Sequence, residues 1–177
     1  ITNLGEKSRQ GEEIEISEKL KTFYNNIESI RKPGTLEGGD VMKVEDHFYI
    51  GLSNRTNNEG ANQLTIILKS YGYSSSIIPL KKVLHLKTGI SYLGDGILLV
   101  SGEFKNHSDF REYNLIEVQD SEAYATNSLR INEYVLKPQG YTNLTKQILN
   151  YNFNVLELDM SEFEKMDGGL SCLSLRF

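Results

Sequence analysis

The sequence predicts an α/β (α+β) fold made of repeated units, each with two or three strands and one helix. Three observations support this. Strand-like apolar stretches outnumber helical ones. Several of those stretches pair across short turns, as in "GISYLGDGILLV" (89–100). Single helical stretches then separate the pairs, which is the pattern of layered strands and helices.

Taken in order, the first element is a helix from about Gln10 to Ile27, with Ile16, Leu20, Phe23 and Ile27 spaced as one buried face. Pro33 and Gly34 close that region. "DVMKV" and "HFYIGLS" read as a hairpin around "EDH". A second helix is expected from Asn57 to Tyr71, with Thr56 as its cap and Gly72 as its stop. "SSSIIPL" reads as a strand, and "GISYLGDGILLV" as a hairpin turning at "GDG". A short polar helix is expected near Asn106 to Tyr113. "LIEVQD" and "RINEYVLKP" read as further strands, Thr142 to Asn150 as a helix capped by Thr142, and "VLELDM" and "SCLSLRF" as closing strands. The units share no obvious sequence period, so any repeat is structural.

With 177 residues, 38% hydrophobic and 24% charged, the chain suits one domain with a real core. A net charge of −5 supplies no basic field for nucleic acid or a membrane surface. No apolar run approaches the roughly 20 residues of a membrane helix. The single cysteine, Cys172, cannot form an internal disulfide, which suits a reducing cytoplasm. His47, His85 and His107 lie far apart and no second thiol exists, so neither a metal site nor a cofactor is expected. The chain opens on Ile1 and reads like the C-terminal part of a longer polypeptide.

Four stretches could carry chemistry: "LEGGDV" (36–41), "GLSNRTN" (51–57), "HLKTG" (85–89) and "DGGLSC" (167–172). Singly they say little. A lone cysteine is usually a buried inert thiol, a single histidine is more often structural, and Glu37 or Arg55 could be an ordinary solvated charge. Together they read differently. A cysteine nucleophile needs a partner that favours its thiolate, commonly histidine, and the histidine needs an orienting acid. Each of these residue types sits here on a Gly-flanked loop or strand end, where backbone can approach a ligand closely. Arg55 adds a planar fork suited to a carboxylate.

In this order and at this spacing the four motifs resemble the guanidine-modifying enzyme superfamily, over essentially the whole chain. Within it the similarity is strongest to the dimethylarginine dimethylaminohydrolase family. The discriminating position is Lys87, where arginine deiminases and amidinotransferases typically place an aspartate. The resemblance implies a pentein-like propeller of five ββαβ units, of which about three are present here, forming a single catalytic domain from a longer protein. It implies hydrolysis of N-methylated arginine to citrulline and a methylamine. Arginine deimination, amidino transfer, or a non-catalytic propeller-type binding module remain as alternatives. The implied catalytic residues are Cys172 as nucleophile, His85 as acid and base, and Glu37 as orienting acid. Those implied to bind substrate are Arg55, Asp167, Met166 and Thr88. The upstream part that completes the guanidinium site in the family has no counterpart here; Glu12, Glu13 and Glu15 read as a helix surface. This stretch assayed alone is therefore expected to be inactive, and an open propeller edge favours a homodimer or a loss of stability.

Overall fold

Every three-stranded sheet among the described residues, 1–174 of the computed structural model, follows one plan. Two antiparallel strands form a hairpin, the chain crosses over, and a third strand returns parallel to the second. The chain divides into two units, the first ending at Leu86 and the second beginning at Lys87.

The first unit opens with a short helix, α1 (Glu12–Leu20), and holds the sheet β1 (Val41–Val44), β2 (His47–Leu52) and β3 (Ser74–Pro79). The β1–β2 hairpin turns at Glu45–Asp46, with Glu45 at φ 51°. Helix α2 (Asn58–Ser70) makes the crossover from β2 to β3. Its cap is Asn57, one residue after the predicted Thr56. The Asn57 side chain accepts the Gly60 N–H at 2.8 Å and the Thr35 N–H at 3.0 Å. Asn57 thereby satisfies an otherwise unpaired first-turn donor and ties the helix to the preceding loop. A Cβ at Gly60 would lie 2.0 Å from the Thr35 carbonyl oxygen, so only glycine allows this approach. Ile30, Leu36, Ile50, Ala61 and Leu68 form the core beneath it.

Helix α1 departs from expectation. It is nine residues long and buries none of them; Ile14 and Ile16 are 58% and 44% exposed. Helical spacing shows which side chains share a face, but it cannot show whether anything covers that face.

A short helix, α3 (Leu86–Gly89), leads into the second unit and its two sheets. One contains β4 (Ile90–Gly94), β5 (Ile97–Val100) and β6 (Asn114–Glu117); the other contains β7 (Leu129–Ile131), β8 (Tyr134–Pro138) and β9 (Asn154–Leu158). Asp95 and Gly96 both take positive φ at the β4–β5 turn, the conformation that suits a two-residue hairpin. In place of the predicted polar helix at 106–113 stands a single 3-10 turn, Ser108–Phe110. It buries Phe110, a ring that a polar surface helix would have left outside.

"RINEYVLKP" is not one strand but most of a second hairpin, broken at Asn132 with φ 54°. Helix α4 (Thr142–Leu149) follows, and Thr142 does not cap it. The cap comes from a distance: the Glu122 carboxylate, in the 3-10 segment Asp120–Thr126, accepts the N–H groups of Asn143 and Leu144 at 3.2 and 2.9 Å. A negative group at that end also suits the helix dipole. Leu93, Leu99, Ile116, Val135, Leu144 and Ile148 are among the residues of the shared core of this unit. Lys137 is fully buried. Its ammonium is satisfied by Glu157 at 2.9 Å and by the Pro138 carbonyl at 2.8 Å.

Beyond β9, helix α5 (Ser161–Glu164) leads into the predicted last strand. Residues 171–173 form a turn instead of a strand, and residues 175–177 lie outside the described part. No helix among the described residues is long and apolar enough to cross a membrane.

Candidate active site

In the first unit the sequence-predicted residues Glu37, His85 and Arg55 come together. Glu37 begins a 3-10 turn, Gly38–Asp40, that feeds β1, and its side chain is 2% exposed. His85 Nε2 lies 3.0 Å from Glu37 Oε2. A carboxylate can only accept, so in the neutral ring Nε2 carries the proton and Nδ1 keeps its lone pair. Gly39 makes the approach feasible, since a Cβ there would stand 2.7 Å from His85 Cγ. Arg55, on the loop between β2 and α2, lies 3.7 Å from Glu37 Oε1 and pairs with Glu6 at 2.9 Å.

Two residues that sequence reasoning missed join this cluster. Glu6 donates its backbone N–H to Glu37 Oε1 at 3.1 Å, and the Arg9 guanidinium reaches Glu37 Oε2 at 3.5 Å. A third, Asp40, is fully buried beside them. Only the Gly-rich setting of Asp40 in "LEGGDV" hinted at it; Glu6 and Arg9 lie in a polar stretch without a motif.

The second unit holds the other predicted residues. Cys172 is exposed, not the buried thiol that a lone cysteine usually is. It sits on the turn at 171–173, its N–H donating to the Gly169 carbonyl at 3.0 Å. Met166 is 84% exposed, and Asp167 is exposed with φ 56°. Thr88 is exposed on α3.

Asn127, which lies in none of the four motifs, holds this turn. Its Oδ1 accepts the Ser171 N–H at 2.9 Å, while its Nδ2 donates to the Ser171 hydroxyl at 2.9 Å and the Lys87 carbonyl at 3.0 Å. A Cβ on Gly169 would lie 2.6 Å from Asn127 Cγ, which accounts for the second glycine of "DGGLSC". Tyr124 donates its hydroxyl to the Gly168 carbonyl at 2.6 Å. One buried amide and one phenol thus set the backbone on which Cys172 rides.

Tyr141 donates to Glu164 at 3.1 Å and lies 6.1 Å from the Tyr124 ring. Burial first, then the Glu164 hydrogen bond and charge, push the Tyr141 phenol up to about 12. Burial, Glu164 and a Cys172 thiolate also raise Tyr124. An unfolded tyrosine titrates near about 10, so the fold favours the neutral phenols. Their contribution to stability is complete below about pH 10 and is lost as pH rises through the folded values. Tyr141→Phe is therefore expected to remove a late step from the alkaline tyrosinate absorbance titration and to soften the loss of melting temperature above about pH 10. An unchanged late absorbance step would refute this.

No family model matches the chain. The dimethylarginine dimethylaminohydrolase of Pseudomonas aeruginosa is 48% identical over 178 residues, spanning all of this chain and 70% of that protein. This chain belongs to the dimethylarginine dimethylaminohydrolase family. A solved structure of the Pseudomonas aeruginosa family member, a cysteine-to-serine variant complexed with citrulline, matches the whole chain with a TM-score of 0.98 and covers 70% of that structure's chain. A histidine-to-glycine variant of a dimethylarginine dimethylaminohydrolase, solved as an adduct with S-methyl-L-thiocitrulline, matches at 0.97 with 48% identity and the same coverage. The α/β architecture is the family's, and the family's enzymes are hydrolases acting on C–N bonds of guanidino groups.

Proposed function

We propose that the protein to which these residues belong hydrolyses N-methylated arginine, dimethylarginine or monomethylarginine, to citrulline and a methylamine, with Cys172 as nucleophile. The observation that carries this reading is the Glu37–His85 pair at 3.0 Å in a chain 48% identical to a dimethylarginine dimethylaminohydrolase. The exposed Cys172 thiol on its anchored turn supports it further.

In this mechanism the thiolate sulfur attacks the central guanidinium carbon and forms an S–C bond. His85 gives a proton to the methylated nitrogen, the C–N bond breaks, and methylamine or dimethylamine leaves. A thiouronium-type adduct remains on Cys172. Water then adds to the same carbon, losing a proton to His85. The S–C bond breaks with its electron pair returning to sulfur, and citrulline is released. No electrons leave or enter overall. Glu37 fixes the imidazole and supports the cation that forms on it. Splitting a difficult hydrolysis into two steps and protonating a poor leaving group are what this set of residues suits. Arg55 serves the substrate α-carboxylate, Asp167 and the backbone at Met166 serve the α-amino end, and Thr88 lies by the guanidinium.

On this reading the three sheets are three units of a five-unit pentein-like propeller, and residues 1–177 belong to one catalytic domain. The chain spans 70% of the Pseudomonas aeruginosa relative, in keeping with this. The protein works in the cytoplasm on a small-molecule substrate, without a cofactor, nucleic acid or membrane partner, and pairs as a homodimer.

Lys87 sets the substrate. A carboxylate at that place would accept hydrogen bonds from an unmethylated guanidinium nitrogen. Methyl groups remove those donors, and an unpaired buried carboxylate costs about 1–3 kcal/mol. That corresponds to roughly tenfold to a hundredfold in discrimination. Competition kinetics on the complete protein are expected to favour methylated arginine over arginine. A clear preference for arginine would replace this reading with a deiminase, and turnover of neither would leave a binding module.

A further inference from the structure

The two acids of "LEGGDV" grip two successive residues. Glu37 takes the His85 ring, and Asp40 Oδ1 accepts the N–H of Leu86 at 3.0 Å. The other Asp40 oxygen, Oδ2, accepts the hydroxyls of Ser53 and Thr56, each at 2.7 Å. Those hydroxyls are in turn acceptors. Thr56 Oγ1 takes the Glu37 N–H at 3.0 Å, and Ser53 Oγ takes the Arg55 N–H at 2.9 Å and the Thr56 N–H at 3.1 Å. Asp40 is fully buried, and its carboxylate meets the glycine backbone closely: a Cβ on Gly51 would lie 3.2 Å from Oδ1.

From this network we propose that Asp40 is the positioning residue for the candidate site of the first unit, fixing His85 through Leu86, Glu37 through Thr56, and Arg55 through Ser53. The proposal rests on the functional reading above for its kinetic consequences, though not for its geometry. A carboxylate suits this place because all three groups facing it donate. An amide could accept from Leu86 N–H, but its NH₂ would then meet two hydroxyls already accepting from backbone, reversing their protons. Displacing a reacting group by about 1 Å can cost roughly a hundredfold in rate. The arms also separate by consequence. The Thr56 arm leads to the acid–base pair and so to kcat, while the Ser53 arm leads to the carboxylate-binding arginine and so to KM.

The test uses the full-length protein and the variants Asp40→Asn, Thr56→Val and Ser53→Ala, with folding checked by melting. Thr56→Val is expected to lower kcat about tenfold to a hundredfold with KM little changed. Ser53→Ala is expected to raise KM about tenfold with kcat little changed. Asp40→Asn should do both; if it fails to fold, the two hydroxyl variants decide. An activity-independent readout is the NMR shifts of the His85 ring nitrogens. They should move in Thr56→Val and Asp40→Asn and stay in Ser53→Ala. A folded Thr56→Val protein with unmoved His85 shifts, or no split between kcat and KM, overturns the positioning role. Shifts that move as expected in a protein that turns over no arginine derivative would sustain Asp40 and sink the functional reading instead.

Discussion

Cys172→Ser is expected to abolish citrulline formation, with kcat falling by about 10³-fold or more. The chemical step asks sulfur to leave water and attack a carbon whose positive charge is spread over three nitrogens. A thiolate does this well; a serine hydroxyl has no comparable fraction of anion near neutral pH. The exchange costs the fold little. Cys172 is exposed on a turn whose backbone is held by Asn127 and the Gly169 carbonyl, neither of which touches the sulfur through the bonds described. The melting temperature should therefore stay near that of the parent, as for most surface changes. Steady-state assay of the complete protein with dimethylarginine measures the loss. Mass spectrometry of the parent incubated with a slow substrate should show an adduct that the serine variant lacks. Turnover persisting within tenfold of the parent would remove Cys172 as nucleophile.

The second large effect is expected at Glu37. Glu37→Gln keeps the shape and removes one acceptor oxygen. The carboxylate now divides its work: Oε1 takes the Glu6 N–H at 3.1 Å, and Oε2 takes His85 at 3.0 Å and Arg9 at 3.5 Å. If the glutamine oxygen stays with Glu6, its NH₂ faces the His85 nitrogen and the Arg9 guanidinium. His85 must then accept at Nε2 and carry its proton on Nδ1, the opposite tautomer, and the lone pair needed to activate water is gone. General acid–base catalysis is worth about 10²–10⁴-fold, and loss of that order in kcat is expected. KM should change less, because Arg55 keeps Glu6 as a partner at 2.9 Å. A Glu37→Gln enzyme within tenfold of the parent kcat would show that His85 needs no orienting acid.

Much of the fold was legible in the chain because strand and turn signals are local. "DVMKVEDHFYIGLS" and "GISYLGDGILLV" carry their own alternation and turn residues, and both became hairpins. Helix α2 was read to within a residue at either end, since its cap region and the stop at Gly72 lie next to its apolar face. The hairpin within "RINEYVLKP" is not legible because Asn132–Glu133, without a glycine, is a weak turn signal between two short strands. The polar helix expected at 106–113 does not form because polarity does not register that Phe110 points inward.

Local signals set two of the three hairpins and the helices α2 and α4, together with the residue types at the candidate site. Motif order and a single decisive position, Lys87, also carried the family resemblance. Tertiary structure alone decided which charges meet Glu37, because Glu6, Arg9, Arg55 and His85 are brought to it across up to 48 positions of chain. It also decided that the Cys172 segment is a turn pinned by Asn127, 44 positions upstream of the Ser171 it holds. The reason is physical. Hydrogen-bond and ion-pair partners are selected by where the backbone leaves them, and a local pattern holds no information about a partner that folding delivers from elsewhere.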